Sequence, residues 1–348
     1  MKNKFSYIWG IVFFLIFSYF YGQEYINFHE NNHQNSQYVL ELEDQKNNFQ
    51  LENIWEISDL SLYQTPNKKL LDQIVSDIEN AKKNIYLETY ILTEKRIQQA
   101  LKNAHKKWID VQILMEKNPY KAFNINNKSF ENLTSVGIPI SWSDSDDFSL
   151  NHSKFIIIDD MAYISTGNFS YSTFTKNRDY FLQTTDIEII STLKKLFRED
   201  YSGNYKNFYH KNIVLSPYNS RKIFEELFTN AQESIDMYFQ YLSDESLRNI
   251  LMQTAKKWVK VRVIVRENFY QEDTQIIKEL ESSGIQIAYL KKPAMHSKAI
   301  LVDNTYLFIG SINFSSYSLD KNRELGFIFT NTDIIHDFIA YYSQDWKK

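Results

Sequence analysis

Two short stretches carry the residues best suited to chemistry: Asn151-His152-Ser-Lys154-Phe-Ile-Ile-Ile-Asp159-Asp160 and Met295-His296-Ser-Lys298-Ala-Ile-Leu-Val-Asp303-Asn304. Each sets a histidine and a lysine two residues apart, at the head of an apolar run that reads as a core β-strand. Side chains two apart in an extended chain share a face, so the imidazole and the ammonium point the same way beside an apolar sheet. Such a pair offers a base or nucleophile next to a fixed cation. A lone buried histidine is usually a core residue with satisfied hydrogen bonds. Here two of the seven histidines stand in one pattern, each with Lys at +2 and Asp at +7.

The elements around the two stretches also occur twice. Ala81-Lys-Lys-Asn-Ile85 corresponds to Ala231-Gln-Glu-Ser-Ile235, and Lys106-Lys107-Trp108-Ile-Asp-Val111 to Lys256-Lys257-Trp258-Val-Lys-Val261. Ser135-Val-Gly137-Ile-Pro-Ile140 matches Ser282-Ser-Gly284-Ile-Gln-Ile287, and Asn177-Arg178-Asp179 matches Asn322-Arg323-Glu324. The order is kept while the offset drifts by a few residues, as loop insertions and deletions produce, so the chain contains a duplicated domain. Within the first copy, Leu70, Leu71, Ile74 and Ile78 at helical spacing predict a helix over 68–83. Strands are predicted at 85–92, 111–115, 138–142, 153–158 and 161–166, and helices at 94–107, 126–135 and 188–200. Alternating strands and helices indicate an α/β fold with a mostly parallel or mixed sheet. The domains are read as 57–202 and 203–348, with residues 203–214 joining the halves.

Read in full, the second half gives His296-x-Lys298, four residues, Asp303, six residues, then Gly310-Ser311-Ile312-Asn313, and the first gives His152-x-Lys154, four residues, Asp159, then Gly167-Asn168. This resembles the phospholipase D superfamily, whose signature is H-x-K-x4-D followed by G-S-x-N, present twice. The resemblance spans roughly residues 60–346. It implies two phospholipase D-like domains, each a mixed β-sheet flanked by helices, packed with one active site at their interface. It also implies cleavage of a phosphodiester without a cofactor or metal. One histidine attacks phosphorus to form a phosphohistidine, and the other protonates the leaving alcohol and then activates water or a second alcohol. Lys154, Lys298, Asn168 and Asn313 would bind the non-bridging oxygens. Asp159 and Asp303 complete the motif and are carried with the catalytic set, although support of the fold is the better account of them.

The family also implies a carboxylate, after the asparagine, that hydrogen-bonds the far nitrogen of each motif histidine. Asp179, 27 residues after His152, and Glu324, 28 after His296, suit that role. Asp179 has a shorter reach than the usual Glu, and Ser165-Thr166-Gly167-Asn168 departs from G-S-x-N. A one-residue deletion in the turn between two strands accounts for both spacings. A slip of strand register instead would turn side chains to the other face and impair the first half-site.

Composition bounds the rest. The 348 residues are 43% hydrophobic and 24% charged with net charge −4, an ordinary globular profile without a global footprint for nucleic acid. The absence of cysteine excludes disulfides, thiolate metal sites and a cysteine nucleophile. Lys2 and Lys4 precede an apolar run from Phe5 to Tyr21, which reads as a signal peptide or membrane anchor over 1–22 and predicts export, followed by a polar linker over 23–56. His29-Glu30-Asn31-Asn32-His33 matches the H-E-x-x-H zinc pattern, but its Asn-rich surroundings form helix poorly and it reads as coincidence in a linker.

For the substrate, the N-terminal segment favours a phospholipid at a membrane surface. The acidic Ser143-Asp-Ser-Asp-Asp-Phe148 disfavours a polyanion from that side, whereas Lys291-Lys292 suit either a lipid phosphate or DNA. The alternatives are an exported endonuclease acting on DNA or RNA and an inactive duplicated scaffold. His, Lys and Asn in both halves argue against the scaffold.

Overall fold

The computed structural model describes residues 50–143, 147–267 and 274–348. The first half runs β1 (Ser61–Gln64), α1 (Lys68–Asn80), β2 (Asn84–Thr89), α2 (Lys95–Lys106), β3 (Asp110–Glu116), α3 (Asn127–Thr134), β4 (Ile140–Ser143), β5 (Lys154–Ile158), β6 (Met161–Ser165), α4 (Tyr171–Thr175), β7 (Asn177–Arg178), β8 (Tyr180–Thr184) and α5 (Ile187–Tyr201). The second runs β9 (Ile213–Ser216), α6 (Ser220–Asn230), β10 (Ser234–Phe239), α7 (Glu245–Lys256), β11 (Lys260–Arg266), α8 (Thr274–Ser282), β12 (Gln286–Leu290), β13 (Ala294–Met295), β14 (Ala299–Val302), β15 (Tyr306–Gly310), α9 (Ser316–Asp320), β16 (Glu324–Phe329) and α10 (Thr332–Trp346).

Each half builds a seven-stranded mixed sheet. The strand orders β1-β8-β6-β5-β2-β3-β4 and β9-β16-β15-β14-β10-β11-β12 correspond element by element. β2, β3 and β4 are parallel, as strands joined by crossover helices must be, and β5 then returns antiparallel to β2. The apolar runs after the two His-x-Lys pairs become β5 and β14, central strands buried along their whole length. Helix starts follow local chemistry. The side chains of Asn67, Asp186 and Asp244 accept backbone N–H bonds in the first turns of α1, α5 and α7, each worth about 1 kcal/mol. α1 buries the four residues whose spacing predicts it, Leu70, Leu71, Ile74 and Ile78.

In the first half β1, β7 and β8 lie outside the strands the sequence predicts. β8 forms because Tyr180–Thr184 pairs with β6 on one side and β1 on the other, a tertiary reason with no local signal. Residues at the end of the stretch read as a polar linker pack on the second half. Ile54 joins its core, and Ile57, the first residue of the predicted first domain, exchanges two backbone bonds with the Asn331 side chain, of 2.8 and 2.9 Å. The H-E-x-x-H sequence and the 1–22 segment lie outside the described residues, among which no helix is long and apolar enough to cross a membrane.

The halves are joined by a pseudo-symmetric set of bonds centred on Asn177-Arg178-Asp179 and Asn322-Arg323-Glu324. β7 pairs with β13 of the other half, and Asn151 bridges to Arg323 in the equivalent place. Arg178 makes a bidentate pair with Asp345 on α10 (2.6 and 3.0 Å), and Arg323 makes one with Asp200 on α5 (2.8 Å for both bonds). Both pairs are buried and both cross between halves. Removing one partner of such a pair strands the other charge in a dry site. Arg323→Ala leaves Asp200 beside Glu88, whose carboxyl burial already pushes above its usual range. The expected loss is about 3–5 kcal/mol, read as a lower midpoint in denaturant unfolding.

Candidate active site

His152 and His296 sit immediately before β5 and β14, where the strands leave the sheet towards the opposite half. The His152 N–H donates to the Arg323 carbonyl (2.8 Å), and the His296 N–H donates to the Arg178 carbonyl (3.2 Å). The serine of each His-x-Lys faces the same carbonyls, at 3.5 Å for Ser153 and 2.8 Å for Ser297. Each motif is therefore held by the other half's Arg-acid dipeptide.

The orienting carboxylates cross as well. His152 Nδ1 bonds Glu324 Oε2 at 2.7 Å, and His296 Nδ1 bonds Asp179 Oδ1 at 2.7 Å. Spacing along the chain assigned Asp179 to His152 and Glu324 to His296, and the structure reverses that pairing. The reason is backbone alternation. Asp179 and Glu324 follow Arg178 and Arg323, whose main chains run alongside the other half's motif, so the acid faces that motif's imidazole while the arginine points to a helix of the same opposite half. Ionised carboxylates only accept, so the hydrogen-bond network puts a proton on each Nδ1 and leaves each Nε2 with its lone pair.

The departures in the first half are accommodated without a register slip. The β5–β6 turn has two residues, Asp159 and Asp160, where the β14–β15 turn has three, Asp303, Asn304 and Thr305. Counted back from the asparagine the halves agree. Thr166 Oγ1 donates to Asp179 (2.8 Å) and Ser311 Oγ donates to Glu324 (2.7 Å), each two residues before Asn168 or Asn313. Gly167 is required where Asp179 closes in, since a Cβ there would lie 2.6 Å from the Asp179 carboxyl carbon. Asn168 and Asn313 match too, each with a buried side-chain oxygen lacking a partner among the described residues.

Asp159 and Asp303 stand apart from this cluster, and their place in the catalytic set is corrected. They occupy the far ends of β5 and β14, about 16 Å of strand from the lysines. Asp159 accepts the backbone N–H groups of Lys82, Lys83 and Asn84 (2.7–3.0 Å), and Asp303 those of Gln232, Glu233 and Ser234 (2.7–2.9 Å). Both have positive φ, which aspartate tolerates better than most residues. They fix a turn against the start of β2 or β10.

The lysines are buried, and burial lowers both below the usual ammonium range, Lys298 to about 8. Lys298 Nζ donates to Gln240 Oε1 (2.9 Å), whereas Lys154 Nζ lies 5.0 Å from the ring centre of Tyr90. Tyr90 also meets His152 edge-on at 4.5 Å. Tyr90 and Gln240 follow β2 and β10 at equivalent places, but because they differ in type the repeat did not flag them. Burial depresses both histidines, His152 to about 4, against the pull of their carboxylates. Glu324 and Asp179 stay ionised because the histidines, lysines and hydroxyls outweigh the cost of burial. The free site at neutral pH thus holds two neutral imidazoles.

A pH dependence follows. As pH rises through about 8, Lys298 loses its charge, so kcat/KM for a soluble phosphodiester is expected to fall on that limb. Lys298→Arg, which stays charged, should shift the limb to higher pH. On the acid side the depressed histidine values act on stability. The unfolded chain takes up protons first below the ordinary value of 6.5, so stability present above it is lost as pH falls towards 4.

Comparisons with known proteins bear on the family and the fold. The family described as "Cardiolipin synthase, PLD-like domain" matches residues 74–201 and 224–346, together well over half of the chain. Cardiolipin synthase 1 of Staphylococcus aureus (strain MRSA252) is 24% identical over 325 residues, covering 80% of this chain and 66% of that protein. The chain thus spans somewhat less than two thirds of the relative's length. The virion nicking-joining enzyme of Vaccinia virus (strain Western Reserve) is 26% identical over 149 residues, 38% of this chain and 34% of the viral one. In fold, the phosphatidylserine synthase of Haemophilus influenzae Rd KW20 superposes with a TM-score of 0.66 at 12% identity, covering 88% of this chain and 89% of that one. Two matched PLD-like domains, each with its His-x-Lys pair, place this chain in the phospholipase D superfamily.

Proposed function

We propose that the chain cleaves a phospholipid phosphodiester through a phosphohistidine, passing the phosphatidyl group to an alcohol or to water. The observation that carries this reading is the pair of imidazoles, each with Nδ1 bound by a carboxylate of the other half, beside two buried lysines. Nε2 of one histidine attacks phosphorus while the bond to the leaving oxygen breaks. The other histidine donates the proton that oxygen takes up. It acquires that proton because the bound phosphodiester anion supplies the compensating charge the free site lacks. In the second step this histidine, now neutral, takes a proton from water or an alcohol, whose oxygen attacks phosphorus and breaks the P–N bond. The lysines hold the phosphoryl oxygens throughout.

The cardiolipin synthase profile and relative support a phospholipid. The shorter match to a nicking-joining enzyme keeps nucleic acid as the competing substrate. Purified protein in EDTA should turn over phosphatidylglycerol or phosphatidylcholine vesicles and leave single- and double-stranded DNA intact. DNA cleavage without lipid turnover overturns the substrate, and loss of all activity in EDTA overturns metal independence. The apolar stretch from Phe5 to Tyr21 supports a location outside the cytoplasm, free or anchored, which fractionation and N-terminal sequencing of the mature protein would test.

A further inference from the structure

Three of the ten large hydrophobic side chains that are exposed among the described residues fall within six positions: Tyr120 (66%), Phe123 (69%) and Ile125 (40%). They lie on the connection between β3 and α3. Scattered exposed apolar residues are ordinary, but a cluster is not. The same connection carries Lys117, Lys121 and Lys128 and has no carboxylate from residue 117 to 130, in a chain of net charge −4. Its counterpart after β11 carries Glu267, Glu272 and Asp273, so the carboxylate-free run of lysines belongs to the first half alone.

The connection is shaped rather than slack. Ala122, Ile125 and Asn127 each close a turn onto the residue three before, and Lys121 and Asn124 take positive φ. Its base is pinned by the buried Asn126, which accepts from Leu92 N–H (3.1 Å) and donates to the carbonyls of Tyr90 (2.8 Å) and Glu116 (2.9 Å). It is also bound to the catalytic cluster. The Tyr120 N–H donates to the Tyr90 hydroxyl (2.5 Å), and the Tyr90 ring lies against His152. The Glu116 carboxylate accepts from Asn118 N–H (2.8 Å) and from Asn151 N–H (2.7 Å), the residue before His152.

We propose that residues 117–128 dock on an anionic lipid bilayer, with Phe123 and Ile125 entering the interfacial layer, the lysines facing the head groups, and the mouth of the site held against the membrane. The chemistry favours lipid over nucleic acid. Ile125 offers no stacking face, whereas aromatic and aliphatic side chains framed by lysines suit a bilayer interface. The proposal rests on the phospholipid reading and adds the surface through which that substrate is approached.

The chain has no cysteine, so one introduced thiol reports one place. The full chain with Phe123→Cys would carry an environment-sensitive fluorophore and be mixed with vesicles of phosphatidylglycerol and phosphatidylcholine in equal parts. The control label is Trp258→Cys. Trp258 is 96% exposed but stands two residues before β11, whose start lies beside that of β10, about 17 Å of strand from the end near Lys298. A blue shift at 123, absent at 258 and absent with pure phosphatidylcholine, is expected. Adding Lys117→Glu and Lys121→Glu should weaken the vesicle titration roughly tenfold or more. No shift at 123, an equal shift at 258, or a shift at 123 with single-stranded DNA but not vesicles overturns the docking. The label reads contact without turnover. A shift with no lipid turnover leaves docking standing and sinks the catalytic reading, while turnover with no shift does the opposite.

Discussion

Alanine at His152 or at His296 is expected to lower turnover by about 10⁴-fold or more, each as severely as both together. Both steps need two imidazoles, one bonded to phosphorus and one moving a proton, so removing either stops the cycle. Non-additivity is the signature of groups acting as a unit. The measurement is single-turnover kinetics on vesicles or a soluble diester, together with trapping of a labelled phosphoryl-enzyme. The variant lacking the nucleophile should trap nothing, whereas the variant lacking only the acid should still form the phosphoryl-enzyme from a substrate with a good leaving group. His296→Gln and His152→Gln guard against loss of fold, because each keeps a donor towards its buried carboxylate. Near-normal turnover in either alanine variant sinks the paired mechanism.

Asp179→Asn is expected to cost about 10²–10⁴-fold in kcat with a smaller change in KM, by analogy with acids that hold a catalytic imidazole in one tautomer. The more telling result is where the perturbation lands. The carboxylate contacts His296 across the interface at 2.7 Å, so the imidazole nitrogen NMR signals of His296 should move and those of His152 should hold. The pKa of His296 should also fall further, since Asp179 is what raises it against burial. Glu324→Gln should do the same to His152 alone. If Asp179→Asn instead moves His152, the carboxylates do not cross and each half carries its own histidine–carboxylate pair. A substitution that merely loosened the fold would move both.

Much of this architecture is legible in the sequence because duplication doubles every local signal. The helical spacing in α1 and the apolar runs of β5 and β14 need no tertiary information, since they arise from burial at a fixed period. The two His-x-Lys pairs were legible for the same reason. Side chains two apart on a strand share a face wherever the strand goes. The one-residue deficit in the first half was legible as a turn deletion, and the two-residue β5–β6 turn agrees. Other features left no such trace. Asp159 and Asp303 sit in the motif by spacing, yet a strand of four or five residues carries them to the opposite end of the sheet. Tyr90 and Gln240 approach the lysines because β2 and β10 end there, and residues that differ between halves leave no repeat to notice.

By itself the sequence determined that there are two copies of one α/β unit and that each contributes a histidine, a lysine, an asparagine and an acid. It also determined that no single copy holds a complete site. Local periodicity and residue type are enough for those conclusions. Only the tertiary structure decided which acid serves which histidine. Arg178-Asp179 and Arg323-Glu324 lie along the opposite half's motif, so strand alternation sends each acid to the foreign imidazole and each arginine to a foreign helix. The contact between halves and the catalytic arrangement are therefore made by the same two dipeptides, and an order of residues along one chain cannot express a pairing made across an interface.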